Sequence, residues 1–107
     1  MIITTTQDVP GMEIVEYKGL ATGEVVAGIN FIKDIGAGLR NFFGGRSQGY
    51  EGEIIQARLL ALKELEERAE AMGANAVIGI RIDFDGLGNN GSNMLLVTVT
   101  GTAVVVR

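Results

Sequence analysis

One stretch governs what this chain can fold into: EGEIIQARLLALKELEERAEAM, residues 51–72. Its apolar residues recur at helical intervals. Ile54, Ile55, Leu59, Ala61, Leu62, Leu65, Ala69 and Met72 make one broad face, and Gln56, Lys63, Glu67 and Glu70 point away from it. Gly73 stands where a left-handed residue closes a helix. A helix this long has to be laid on something, and the residues after it supply a surface. NAVIGIRIDF, residues 75–84, alternates: Ala76, Ile78, Ile80, Ile82 and Phe84 face one way, Val77, Gly79, Arg81 and Asp83 the other. DGLGNNGSN, residues 85–93, is built of turn formers. MLLVTVTGTAVVV, residues 94–106, is a second long β-branched run, with a bulge expected at Gly101. Residues 75–106 therefore read as a hairpin with a long tip.

The first half of the chain is read the same way. Residues 2–6, IITTT, favour a short strand, and DVPG at 8–11 marks a turn. Residues 13–27 read as one strand or two, bent near Gly19 and Gly23. Val15, Tyr17, Gly19, Ala21, Gly23 and Val25 share a face that is small in its middle, which suits close approach by another backbone. Residues 30–43 have a weaker helical pattern. Phe31, Ile32, Ile35, Leu39, Phe42 and Phe43 lie on one side, and Asn30, Asp34 and Asn41 on the other. Gly36 and Gly38 each weaken that helix by roughly 1 kcal/mol relative to alanine. Strand, strand, short helix, long helix, hairpin: the order implies an α+β fold, a largely antiparallel sheet with both helices on one side. At 107 residues it is one domain, residues 1–107.

Two residue types are missing, and they limit the chemistry. There is no histidine, so no imidazole can activate a serine or cysteine nucleophile. There is no cysteine either, so an ordinary zinc or copper site has no ligands. A small domain without disulfides fits the cytoplasm better than an oxidising compartment. The net charge of −4 argues against a nucleic-acid backbone as the main partner. No apolar run approaches the roughly 18 residues that span a bilayer, and the N-terminus does not read as a signal peptide.

Apolar surface is in surplus. The last strand is apolar on both faces for much of its length, and Ala57 and Leu60 widen the helix's arc. A domain of this size buries only about 60–65% of its unfolded surface when alone. The expectation is a homo-oligomer in which copies of the chain cover one another.

Four groups of residues are candidate sites. Gly44, Gly45, Arg46, Ser47 and Tyr50 could place successive N–H groups and a guanidinium around a small anion at the start of the long helix. The plainer alternative, a sharp turn with Arg46 paired to a carboxylate, carries more weight. The likeness to a nucleotide P-loop fails, because Arg40 stands where the first glycine belongs. Arg58 falls inside the apolar arc and needs a partner, with Glu51 and Glu24 as the nearest choices. A structural ion pair is the simpler account of it, and an anion-binding arginine the other. Glu51, Glu53, Asp83 and Asp85 offer oxygen ligands for a hard cation but in no recognised spacing. Asn30 and Asp34 form a polar helix face. An enzyme is the least supported reading, since acid-base work would fall to a carboxylate such as Glu24. Any chemistry would have to come from carboxylates, lysine, tyrosine, arginine or a bound cofactor, which the residues do not name.

TGEVVAGINFIKDIGAGLRNFFGGRSQGYEGE, GANAVIGIRIDFD and MLLVTVTGTAVVV together resemble the YbjQ-like family of small bacterial and archaeal proteins, over roughly residues 2–106. The resemblance implies a dodecin-like β-α-β-β subunit assembled into a ring, as a pentamer. It also implies a heavy-metal-binding label, which transfers badly to a chain lacking thiol and imidazole. Glu24, Asn30 and Asp34 match one family pattern, Gly44, Gly45, Arg46, Ser47, Tyr50 and Glu51 its loop, and Arg58 its helix arginine; none gains a catalytic role from the match.

Overall fold

The computed structural model describes the backbone of residues 1–28, 49–87 and 94–107, with side chains over 1–26, 54–86 and 94–107. The short helix expected over 30–43 and the loop tip at 88–93 lie outside these residues. Within them the chain forms β1 (Ile2–Ile3), β2 (Ile14–Gly28), α1 (Gly49–Ala71), β3 (Ala76–Leu87) and β4 (Met94–Val106). The strands make one sheet in the order β1-β3-β4-β2. β2 and β3 both run antiparallel to β4, which lies between them, and β1 pairs parallel to β3. β2 and β3 are therefore parallel to each other, and α1 is the crossover that joins them. The fold is α+β with a mixed, largely antiparallel sheet and, among the described residues, a single helix.

Local chemistry sets the ends of these elements. Val9 accepts a bond from the N–H of Met12 at 3.0 Å, with Pro10 and Gly11 between them and Gly11 at φ 81°. Proline followed by a left-handed glycine is the type II arrangement, and it turns the chain from β1 into β2. Gly73, at φ 88°, closes α1. Its N–H reaches the Glu70 carbonyl at 2.9 Å, and the Ala74 N–H reaches Ala69 at 3.1 Å. These two bonds form a Schellman cap. β1 is shorter than the run 2–6, but main-chain bonding continues past it: Ile80 donates to Thr4 at 3.0 Å and Gly79 to Thr6 at 2.8 Å.

Three register shifts, one in β3 and two in β2, differ from the expected pattern. The register of β3 against β4 shifts between Ile78 and Arg81, where Gly79 takes φ 61°. The extra residue thus sits in β3, opposite Gly101, and not in β4. It also turns the alternation over. Ala76 and Ile78 pack on one face of the sheet, while Val77, Ile80 and Ile82 pack on the other. Gly101 is needed for a different reason. A Cβ there would lie 2.6 Å from Val77 Cγ1 and 3.1 Å from the Ile78 oxygen. In β2 the register shifts on either side of Glu16 and Tyr17, with Gly19 at φ 120°, and then runs unbroken to Gly28. The strand is bent at Gly19 but not at Gly23. Val15 and Tyr17, upstream of the shift, are exposed and do not share the buried face of Ala21 and Gly23.

The main core lies between α1 and the sheet. Ala57, Ala61, Leu65 and Ala69 form the seam of the helix, one per turn, over Ala21, Val97, Val99 and Ala103. Three alanines in that seam let the helix settle close to β2. A Cβ on Gly23 would run into the Ala61 carbonyl oxygen and lie 2.9 Å from the Leu65 nitrogen, so this position accepts only glycine. The small middle of the β2 face serves the close approach its sequence suggested. Gln56, expected to point to solvent, is instead 2% exposed, with no hydrogen-bond partner for either amide atom among the described groups. A second, smaller core lies on the far side of the sheet, where Val9 covers Ala76, Ile78, Val104 and Val106, with Ile14 at its margin.

Candidate functional site

The densest polar constellation among the described residues sits on the outer edge of the sheet. Among the described strands β2 is outermost, and the main-chain groups of alternate residues point away from β4. Arg68, in the last turn of α1, reaches over this edge. Its Nη1 donates to the Thr22 carbonyl at 3.1 Å, to Thr22 Oγ1 at 3.1 Å and to the Glu24 carboxylate at 3.1 and 3.2 Å. Its Nη2 donates to Glu64, one turn back on the helix. The hydrogen bond to Glu24, with the charge of Glu64 and Glu24 beside it, raises the guanidinium pKa against the opposing effect of desolvation. A raised folded pKa contributes stability below the unfolded value and loses it only as pH climbs through the folded one. For arginine that window is strongly alkaline, so the cluster's cation stays charged at any physiological pH. All three side chains are a third to a half exposed, and water screens their attraction.

The packing already described puts them there. Gly23 lies against Ala61 and Leu65, so its neighbours Thr22 and Glu24 meet the flank of the helix that carries Glu64 and Arg68. Beside the cluster, the helix and β2 enclose an open groove of about 560 Å³ lined by Glu24, Val25, Val26, Leu60, Lys63, Glu64 and Glu67. A second groove of about 230 Å³ lies on the other flank, over β3, where α1 leaves the sheet uncovered. Ile3, Thr4, Thr5, Leu62, Ile80 and Ile82 line it, and it is almost wholly apolar.

The residues singled out in the sequence fall unevenly on this frame. Glu24 lies in the cluster, but its partner is Arg68, not Arg58. Arg58 is ten residues earlier, roughly 15 Å along the helix and about 80° around it, too far to share that carboxylate. It is half-buried. The side chains of Glu51, Glu53 and Tyr50 are outside the described residues, as are Asn30, Asp34, Gly44, Gly45, Arg46 and Ser47 entirely. Asp83 is exposed and sits by Arg81 at 3.5 Å. In the row across β4, Thr98 pairs with Asp83 on one side and Glu24 on the other. Among the described residues no three acidic side chains converge as metal ligands; of the four carboxylates expected for a hard cation, Asp83 and Asp85 lie among those residues, and the side chains of Glu51 and Glu53 lie outside them. Arg68, Glu64 and Thr22 were missed. The spacing of Glu64 and Arg68, four apart on a helix, was the available signal.

Comparison with known proteins agrees with the fold. A family model for YbjQ, described as "Putative heavy-metal-binding", matches residues 1–107. A "UPF0145 protein" of Listeria ivanovii is 62% identical over 107 residues, covering all of this chain and 96% of its own length. One from Acetivibrio thermocellus is 60% identical over 107 residues and matches end to end. A crystal structure from Pediococcus pentosaceus, of a protein of unknown function in the DUF74 family, superposes with a TM-score of 0.58. It is 21% identical and covers all of this chain and 98% of its own, a likeness of fold alone.

Proposed function

The chain belongs to the YbjQ family, and from that premise we propose that it is a homo-oligomeric binding protein which holds a small polar or anionic ligand where copies meet. The observation that carries the assembly is the sheet face turned away from α1. Leu20 is 71% exposed, Tyr17 67% and Val26 51%, all on β2. Large apolar side chains exposed along one strand face, with Thr22 and Glu24 between Leu20 and Val26, favour cover by another protein surface, and a second copy is the partner always present. A ring of five is the closed arrangement that the family resemblance implies. The ligand is assigned to the Gly44-Gly45-Arg46-Ser47 loop and Tyr50 because glycine-rich N–H groups beside an arginine suit an anion.

Mass spectrometry of small molecules released from the purified assembly tests the ligand, followed by thermal melts with phosphate, nucleotides and carboxylates. A bound anion that raises the melting temperature in the wild type, and not in Arg46→Ala, is the expected result. If nothing copurifies, no anion shifts the melt and Arg46→Ala behaves as wild type, the binding reading is lost. Light scattering tests the assembly separately. A single 11.3 kDa species at high concentration ends it.

The family description favours a second reading, metal binding. Soft heavy metals do not fit the donors of this chain, which has no cysteine or histidine and only four methionines, on four different segments. Carboxylate-bound Mg²⁺, Ca²⁺ or Mn²⁺ is the form left open. Calorimetric titration with each ion, beside elemental analysis of the protein as purified, decides it; no heat and no metal removes it.

A further inference from the structure

The Arg68 cluster reaches a main-chain group as well as two carboxylates. An exposed ion pair needs only the carboxylates. Here the same Nη1 that meets Glu24 also takes the carbonyl of Thr22, a pairing group on the outermost strand of the described sheet. An outer strand with unsatisfied N–H and C=O groups is a template for the strand of another chain, and proteins block such edges with charge. Among the described residues no strand covers the outer edge of β2, which leaves it open to this hazard. β2 is 15 residues long, and from Gly19 to Gly28 its register is unbroken. Leu20 and Val26, two of its most exposed residues, flank the Arg68 contact.

We propose that Arg68 is an edge guard: its guanidinium occupies the Thr22 carbonyl and holds a charge over β2, so that the strand of a second copy cannot add there. Glu64 and Glu24 are its positioning residues. Glu64 anchors Nη2 from the helix and Glu24 anchors Nη1 from the strand, which holds the fork across the edge. A lysine would not serve as well, because a single ammonium lacks the planar fork that spans both carboxylates and the carbonyl. The guard goes beyond the binding function proposed above. It directs assembly away from the β2 edge, whatever number of copies the finished particle holds.

The test compares wild type, Arg68→Ala and Arg68→Lys by sedimentation velocity across a hundredfold concentration range, with circular dichroism as the check on folding. Wild type keeps one size. Arg68→Ala forms larger particles that grow with concentration, and Arg68→Lys falls between. Hydrogen–deuterium exchange then locates the new contact, and peptides covering 20–26 are expected to gain protection in the enlarged particles. If Arg68→Ala does not fold, Arg68→Lys decides the question on the same two readouts. A folded variant that keeps the wild-type size overturns the proposal, and so does growth without new protection in β2. Failure of the ligand or the ring reading leaves both readouts intact, since each is measured against the wild-type particle.

Discussion

The two faces of the sheet are made by the same strands, yet they are finished differently. The face under α1 is closed by small residues. Ala57, Ala61 and Ala69 bring the helix down until its backbone rests on Gly23. The opposite face is closed only where Val9 covers Ala76, Ile78, Val104 and Val106. Along the rest of it, Thr98, Thr100 and Thr102 of β4 are half-buried beside exposed Leu20 and Val26. The first face was completed by local geometry within one chain. The second is completed at one end and left open at the other, where exposed Leu20 and Val26 stand among threonines and the charged Glu24, Arg81 and Asp83, and that contrast is why assembly, more than chemistry, dominates the functional reading.

The sharpest way to break the contrast is to spoil the closed face. Gly23→Ala puts a methyl group against helix backbone atoms, which cannot rotate aside as a side chain could. Overpacking of this kind costs typically 1–3 kcal/mol and here is expected near the top, about 3 kcal/mol. Urea denaturation measures it. Gly86→Ala is the control, because a Cβ there meets nothing within 4 Å; its midpoint should move little. Equal midpoints for the two variants would mean that the helix does not rest on β2 as described.

The far face offers a smaller effect at its closed end. Ile78 is buried among Val9, Val104 and Val106, and Ile78→Ala removes three carbons from that cluster. The cluster is small and lies beneath a turn, so its surroundings can collapse part-way. A loss of about 2 kcal/mol is expected, at the low end for an isoleucine truncation. Thermal or chemical unfolding checks it. A loss as large as that of Gly23→Ala would show that the Val9 turn is as rigid a cover as the helix.

How much of this was legible in the sequence depends on whether the signal was local. The long helix, expected over 51–72, runs Gly49–Ala71, and Gly73 caps it with the left-handed backbone its position implied. Both are local, one a periodicity and the other a single conformational need. The bulge expected at Gly101 lies instead in β3 at Gly79, since the two glycines face each other across the ladder. Either glycine could carry the extra residue, and only the register tells which does. The consequence spread, because one inserted residue moves Ile80 and Ile82 from the face of Ile78 to that of Val77. Polarity alone places Gln56 toward solvent, yet the fold buries it, because burial at a helix flank is set by tertiary packing that side-chain polarity does not report. Glu24, one of two partners the sequence offers Arg58, pairs with Arg68 for a related reason. The sequence shows which residues share a helix face, but the choice between Arg58 and Arg68 rests on where Gly23 meets the helix.

The smallest effect on stability tests the open end. Leu20→Lys with Val26→Lys changes two exposed side chains that touch no described core cluster. Surface substitutions of that kind are usually within about 0.5 kcal/mol, so the folded subunit should melt almost unchanged when measured as an isolated chain. The particle should not survive unchanged. Two ammonium groups per copy on a buried contact lose their hydration and repel their symmetry mates. The expected outcome is dissociation to smaller species by light scattering, with the circular dichroism of the subunit retained. Arg68→Ala acts on the same strand in the opposite sense, enlarging the particle where the lysines shrink it. If both variants change size in one direction, the face and the edge of β2 are not separate surfaces. If the lysine variant keeps the wild-type size, the copies meet somewhere other than this face, and Leu20 and Val26 are simply apolar residues in water.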